Sequence, residues 1–202
     1  TALTALDNRV LAGSDNNYLY VLESGNGKIT WMWRTGGDVI GTASADARYF
    51  YYVSMDTVLR AHNRKNGHLA WKSGLSTRPT TGPALFGDFV AVGGVTPQVN
   101  IYAAADGMVA PVVTIPSGIV HRPHLVPAAG ASLDRLVLVT RLGEVLAIGL
   151  SPEPALIPLA EPPGTALPVE TLVPPLEQPL VPLTELLGTR YAQVAPYARL
   201  RT

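Results

Sequence analysis

Cysteine is absent from the sequence. That excludes disulfides, thiolate metal sites and a cysteine nucleophile together. It leaves the compartment open, because a cysteine-free chain suits an oxidising periplasm and a cytosol alike. No run of about 18 consecutive apolar residues occurs, so no transmembrane helix is expected. No basic stretch leads into an apolar run at the N-terminus, as it would in a signal peptide. The sequence starts at Thr1 without an initiator Met, so a removed signal or lipid anchor stays open. An excess of one charge is also missing, with Lys+Arg and Asp+Glu at 15 each. That balance argues against a nucleic-acid partner, which demands a basic surface. Charged residues make up only 15% against 47% hydrophobic, which sets the chain apart from disordered sequences.

What is present is a repeat with a step of 40. Gly27, Gly67 and Gly107 keep it, as do Leu19, Leu59 and Val99, and Ala43, Pro83 and Pro123. Trp31 and Trp71 follow the first two glycines at one offset. A step of about 40 residues holding several short strands is the signature of a β-propeller blade. The second unit shows the order most clearly. Thr42-Ala43-Ser44-Ala45 is small enough for the crowded region near a central channel. Tyr49-Phe50-Tyr51-Tyr52-Val53 is aromatic and β-branched, as a strand between blades should be. Residues 58–62 form a third strand, Asn66-Gly67 a tight turn, and residues 68–72 the outer strand. The pattern predicts blades over residues 3–37, 38–77, 78–118 and 119–151, with almost no helix. The fourth is degenerate, its final strand broken by Pro152, Pro154 and Pro158.

Within these units Val21-x-Glu23-x-x-x-Gly27-x-x-x-Trp31 and Ala61-x-Asn63-x-x-x-Gly67-x-x-x-Trp71 are similar to the tryptophan-docking motif of pyrroloquinoline-quinone-like (PQQ-like) propeller repeats. The third unit keeps only Gly107, with Pro111 in the tryptophan's place. The resemblance covers roughly residues 3–150. It implies an all-β fold, a partial or small β-propeller of about four PQQ-like four-stranded blades with an extended proline-rich C-terminal tail. It also implies that Gly27, Gly67 and Gly107 make positive-φ hairpins, and that Trp31 and Trp71 dock on the neighbouring blade and are largely buried. Two branches carry such repeats. The quinoprotein dehydrogenases bind PQQ with calcium, are much longer and often carry a vicinal disulfide. The non-enzymatic branch comprises BamB-like propeller lipoproteins of the outer-membrane β-barrel assembly machine. A cysteine-free chain with about half the blades resembles the second. By that resemblance it is a non-enzymatic scaffold with no cofactor, on the periplasmic or cell-envelope side of a bacterial membrane. Its partners would be protein subunits of a larger complex, with peripheral membrane association and additional blades from another segment or chain both open. The alternative is a fragment of a quinoprotein dehydrogenase.

Little else has the form of a chemical site. His121-Arg122-Pro123-His124 holds the closest histidine pair, but in an extended strand i and i+3 point to opposite faces, so channel lining is the better reading than a metal site. His62 and His68 flank the Asn66-Gly67 hairpin and read as solvated. Arg60, His62, Asn63, Arg64 and Lys65 form a basic cluster that reads as a solvated hairpin face. The serines lack a nucleophile elbow, and no glycine-rich phosphate loop precedes a helix.

Residues 152–202 form the tail. From Pro152 to Pro182 roughly every third position is proline, a density that blocks helix and central strand and leaves extended chain. Apolar residues are interleaved with the prolines, and extended chain cannot bury them against itself. Leu172, Leu176, Leu180 and Leu183 are therefore the expected partner-binding residues, with a disordered tether as the competing reading. Residues 191–200 read as a short strand or terminal arm.

Overall fold

The β-branched and aromatic stretches are short and end on turn residues, and within each of the first three blades each pairs with the next in sequence. The computed structural model describes residues 3–110, 112–127, 134–151, 193–194 and 198–200. Blade one consists of β1 (Leu3–Leu6), β2 (Arg9–Gly13), β3 (Tyr18–Glu23) and β4 (Ile29–Arg34). Blade two consists of β5 (Val39–Ala45), β6 (Tyr49–Ser54), β7 (Val58–Asn63) and β8 (Leu69–Gly74). Blade three has β9 (Ala84–Phe86), β10 (Phe89–Gly93), β11 (Gln98–Ala103) and β12 (Val113–Thr114). Blade four has β13 (His124–Val126), β14 (Arg135–Val139) and β15 (Val145–Ser151), joined by β16 (Gln193–Val194) and β17 (Ala198–Leu200). All pairings are antiparallel, and the described residues contain no helix. The fold is a partial β-propeller.

Register follows the repeat. Leu11 faces Val21, Tyr51 faces Ala61 and Ala91 faces Ile101, each pair equivalent to the others in its own blade. A register shift after Val21 recurs after Ala61 and leaves Trp31 and Trp71 opposite those two residues. Because side chains alternate across a strand, β6 serves two interfaces. Phe50 and Tyr52 join Leu11, Leu19 and Val21 of blade one, while Tyr51 and Val53 join Val90, Val92 and Tyr102 of blade three. Burial of each such side chain contributes about 1.5–3 kcal/mol, against about 1 kcal/mol net for a typical hydrogen bond. Apolar faces therefore hold the blades together.

The inner strands touch in chain order, β1 with β5, β5 with β9 and β9 with β13, and among the described residues no comparable contact joins β13 back to β1. Near the axis two backbones come so close that only glycine fits. A β-carbon on Gly41 would stand 2.1 Å from the Gly82 nitrogen, and one on Gly82 would stand 2.1 Å from the Thr42 carbonyl oxygen.

Blade four departs from the expected order. Along the outer edge of β15, β17 pairs over Val145–Ala147 and β16 pairs with Leu150 and Ser151. Proline has no N–H to give a ladder, and β16 and β17 contain none. Blade three's outer strand is shortened to two residues plus a Tyr102–Val109 bridge, with Pro111 between them in sequence. Leu172, Leu176, Leu180, Leu183 and the rest of residues 152–192 lie outside the described residues.

Candidate functional site: blade docking and the channel wall

The turn between the third and fourth strands is built the same way in three blades. Asn26, Asn66 and Asp106 each accept a hydrogen bond on Oδ1 from the backbone N–H two residues on, at 2.8, 3.0 and 3.1 Å. The following glycine has φ of +72°, +71° and +74° at Gly27, Gly67 and Gly107, a region that costs an L-residue about 1–2 kcal/mol. At two of them glycine answers a second need. A β-carbon on Gly67 would stand 2.6 Å from the Trp31 ring, and one on Gly107 would stand 2.4 Å from the Trp71 ring. Each indole thus lies on the hairpin glycine of the next blade. Gly27 carries no indole, and nothing lies within 4 Å of where its β-carbon would be.

Both indoles are half-buried, less than the motif implies, because β4 and β8 are outer strands whose other side chains are largely exposed. Trp31 stacks on Phe50 at 5.3 Å between ring centroids, and Trp71 lies 5.7 Å from Tyr51. The two differ in one bond. Trp71 Nε1 donates to the Ala104 carbonyl at 3.1 Å, whereas Trp31 Nε1 is buried without a partner. The equivalent acceptor one blade earlier, the Arg64 carbonyl, takes a 2.6 Å bond from Arg9 Nη1 instead.

The reading of His62 and Arg60 as solvated is overturned. His62 has no exposed surface and sits among Trp31, Trp33, Phe50 and Tyr52. Its Nδ1 lies 2.8 Å from the Gly67 carbonyl and its Nε2 3.2 Å from the Tyr52 hydroxyl. A carbonyl only accepts, so Nδ1 carries the proton and Nε2 accepts from the tyrosine. Burial lowers the His62 pKa to about 4 against the Gly67 carbonyl's opposing pull, and the Arg60 charge lowers it further. Arg60 is 8% exposed and pairs with Asp56 at 2.6 Å, also donating to Ser54 Oγ at 2.6 Å. Burial works to raise the Asp56 carboxyl, but hydrogen bonds from Arg60, Ser54 and the Gly36 N–H outweigh it and bring its pKa to about 2. Burial likewise raises the Tyr51 and Tyr52 hydroxyls, and takes Tyr102 to about 12. The signal for His62 was the repeat itself, since Leu22 and Tyr102 hold the equivalent places in the flanking blades.

The channel wall is knitted by Arg122. Its Nε donates to the Pro83 carbonyl at 3.0 Å, Nη1 to Thr42 Oγ1 at 2.9 Å and Nη2 to Ser44 Oγ at 2.6 Å. Ser44 Oγ donates in turn to the Pro83 carbonyl at 2.7 Å. One guanidinium from the start of blade four therefore bridges blades two and three. His121 and His124, which flank it, are both exposed, and no cluster of three or more His, Cys, Asp or Glu suited to a metal ion occurs among the described residues. Arg122 is thus committed to three protein acceptors.

Repeated four-stranded units docked indole-on-glycine define a PQQ-like β-propeller. The chain belongs to the family described as "Outer membrane protein assembly factor BamB", which matches it over residues 2–72 and 54–148. No curated protein matches its sequence. Among solved structures, the computationally designed Ika4 protein aligns with a TM-score of 0.61 at 15% identity, covering 73% of this chain and 88% of its own. The computationally designed Ika8 protein aligns equally well, again at 15% identity over 73% of this chain, but over 44% of its own. At that identity the likeness shows the fold alone. No helix among the described residues is long and apolar enough to cross a membrane.

Proposed function

We propose that this chain is a non-catalytic interaction subunit of a larger protein assembly on the cell-envelope side of a bacterial membrane. Its contact surfaces are the propeller faces and the arm of residues 152–182. The observation that carries this reading is where the shifted groups sit. His62, Tyr52, Tyr51 and Tyr102 are interior to the blade contacts, and Asp56 and Arg60 hold a turn at one of them. Perturbed proton affinities mark catalytic sites when they converge on a cleft; these are spent on packing. The family's association with outer-membrane protein assembly supports the location.

The test separates the arm from the fold. Leu172, Leu176, Leu180 and Leu183 are changed together to Ser in the full chain, leaving β16 and β17 in place. The variant is expected to keep the thermal unfolding of the parent and to lose co-purification with outer-membrane assembly proteins from envelope extracts of the source cells. Full co-purification would reduce the arm to a tether. Dye-linked alcohol oxidation after addition of PQQ and calcium would replace this reading with the quinoprotein one.

A further inference from the structure

We propose that the basic groove between blades one and two is the docking site for the glutamates of this chain's own residues 152–189.

The groove is lined by Asp7, Asn8 and Arg9 of blade one and by Ala47, Arg64 and Lys65 of blade two. It holds three cations against one carboxylate. At the step of 40 the matching positions of the next junction are Ala47, Arg48, Tyr49, Gly87, Ala104 and Ala105, with a single cation. Blade packing therefore does not require the charges, and such a departure from the repeat points to function. Arg64 already holds one carboxylate, Asp7, at 2.5 Å. Among the described residues Arg9 and Lys65 have no carboxylate partner. Arg9 Nη1 takes the Arg64 carbonyl at 2.6 Å, and Trp31 Nε1 is left buried without an acceptor where Trp71 Nε1 has one. An unpaired buried donor is uncommon in a folded chain. Trp31 lines a small cavity that shares Asp7, Arg9 and Arg64 with the groove. Two cations and an indole N–H thus meet here, and the group they lack is a charged acceptor. Asp7 beside them opposes a doubly charged phosphate more than a single carboxylate.

The chain itself carries the complementary charge. Residues 152–189 hold Glu153, Glu161, Glu170, Glu177 and Glu185 and no Lys, Arg, His or Asp. Their root lies on the groove's side of the propeller. β7 ends at Asn63, beside Arg64 and Lys65, and β15, the third strand of blade four, ends in the same sense at Ser151. β16 returns to pair with Leu150 and Ser151, so residues 152–192 start and finish at one place. Half that length, extended at about 3.1 Å per residue, reaches about 60 Å from the root. A compact unit the size of residues 1–151 has a radius of gyration of about 15 Å, so the groove is within reach. The glutamates recur every seven to nine residues, about 22–28 Å apart in extended chain. The groove therefore takes one at a time, and a neighbour can replace it. The docking holds whichever partner the leucines of this segment meet.

The experiment uses the full chain and a carbodiimide, which joins a carboxylate to an amine it touches. The lysines are Lys28, Lys65 and Lys72, all exposed, so Lys28 and Lys72 report unspecific contact. Lys65 is expected to link to glutamates of residues 152–189, and the other two are not. Mixing labelled with unlabelled chain shows whether each link lies within one molecule. In a parallel variant the five glutamates are changed together to Gln, which leaves every blade residue in place. This change should shift the indole N–H resonance of Trp31 and leave that of Trp71, whose acceptor is the Ala104 carbonyl. High salt should produce the same shift in the parent chain, because it screens exposed charge pairs. A Trp31 resonance unmoved by the five substitutions overturns the proposal, as does a Lys65 that links no better than Lys28 and Lys72. Links found only between labelled and unlabelled molecules overturn it too, and give the groove to a second copy.

Discussion

The Tyr52 hydroxyl donates to His62 Nε2 at 3.2 Å, inside the interface between blades one and two. This bond exists only with His62 neutral, and burial holds the imidazole pKa at about 4. Unfolded, the group titrates near 6.5. Between those values the unfolded chain binds the extra proton, so the stability His62 contributes is full above pH 6.5 and is lost as pH falls toward 4. The loss amounts to about 3 kcal/mol. Denaturant melts at pH 7, 5.5 and 4.5 should show this slope, and His62→Gln should flatten it while lowering stability at pH 7.

Asp56 adds a second acid-labile contact at lower pH. Its folded pKa, about 2, lies below the unfolded value of 3.8, so its contribution is present above 3.8 and fades as pH falls toward 2. Asp56→Ala strands the buried Arg60 guanidinium. Loss of one partner of a buried pair costs about 3 kcal/mol or more. Asp56→Ala combined with Arg60→Met should recover part of that loss, and equilibrium unfolding of the three variants checks it.

The glycines of the docking motif separate two costs. Gly27→Ala meets only the positive-φ penalty, about 1–2 kcal/mol, since nothing stands over it. Gly67→Ala meets the same penalty and also lifts Trp31 off its seat. It should lose about 2 kcal/mol more, near the value of a large apolar side chain. Equal losses at Gly27 and Gly67 in urea melts would refute indole seating as a source of stability.

The regular step of the repeat made three blades legible, because each strand has to present one face to each neighbouring blade and so repeats its apolar positions. Less legible was anything polar that the blades absorb. His62 and Arg60 read as surface because their charge was weighed before their place in the repeat, where blade one holds Leu22 and Tyr20. Arg122 sits at the step of Thr42 and Gly82, a small position. Its reach across two blades depends on the gap those short side chains leave, which no single stretch of sequence records. Nor did proline density show which strand would replace the one it breaks in blade four.

That replacement gives the last prediction. Three β15 residues, Val145, Leu146 and Ala147, pair with Leu200, Arg199 and Ala198. Leu146 and Ile148 of the same strand have no exposed surface and belong to the core shared with blade three. Removing residues 195–202 would leave the Val145–Ala147 edge of β15 unpaired beside that core, the arrangement that invites edge-to-edge association. Truncation at residue 194 should therefore lower stability by about 1–3 kcal/mol, the scale of a few net hydrogen bonds, and raise aggregation on heating. Hydrogen exchange localises the effect: β14 and β15 amides should lose protection while β6 and β7 keep theirs. Deleting residues 155–190 while joining the flanks should leave β17 on β15 and preserve that protection. Should the short truncation leave β15 exchange unchanged, the C-terminal strand contributes nothing to blade four.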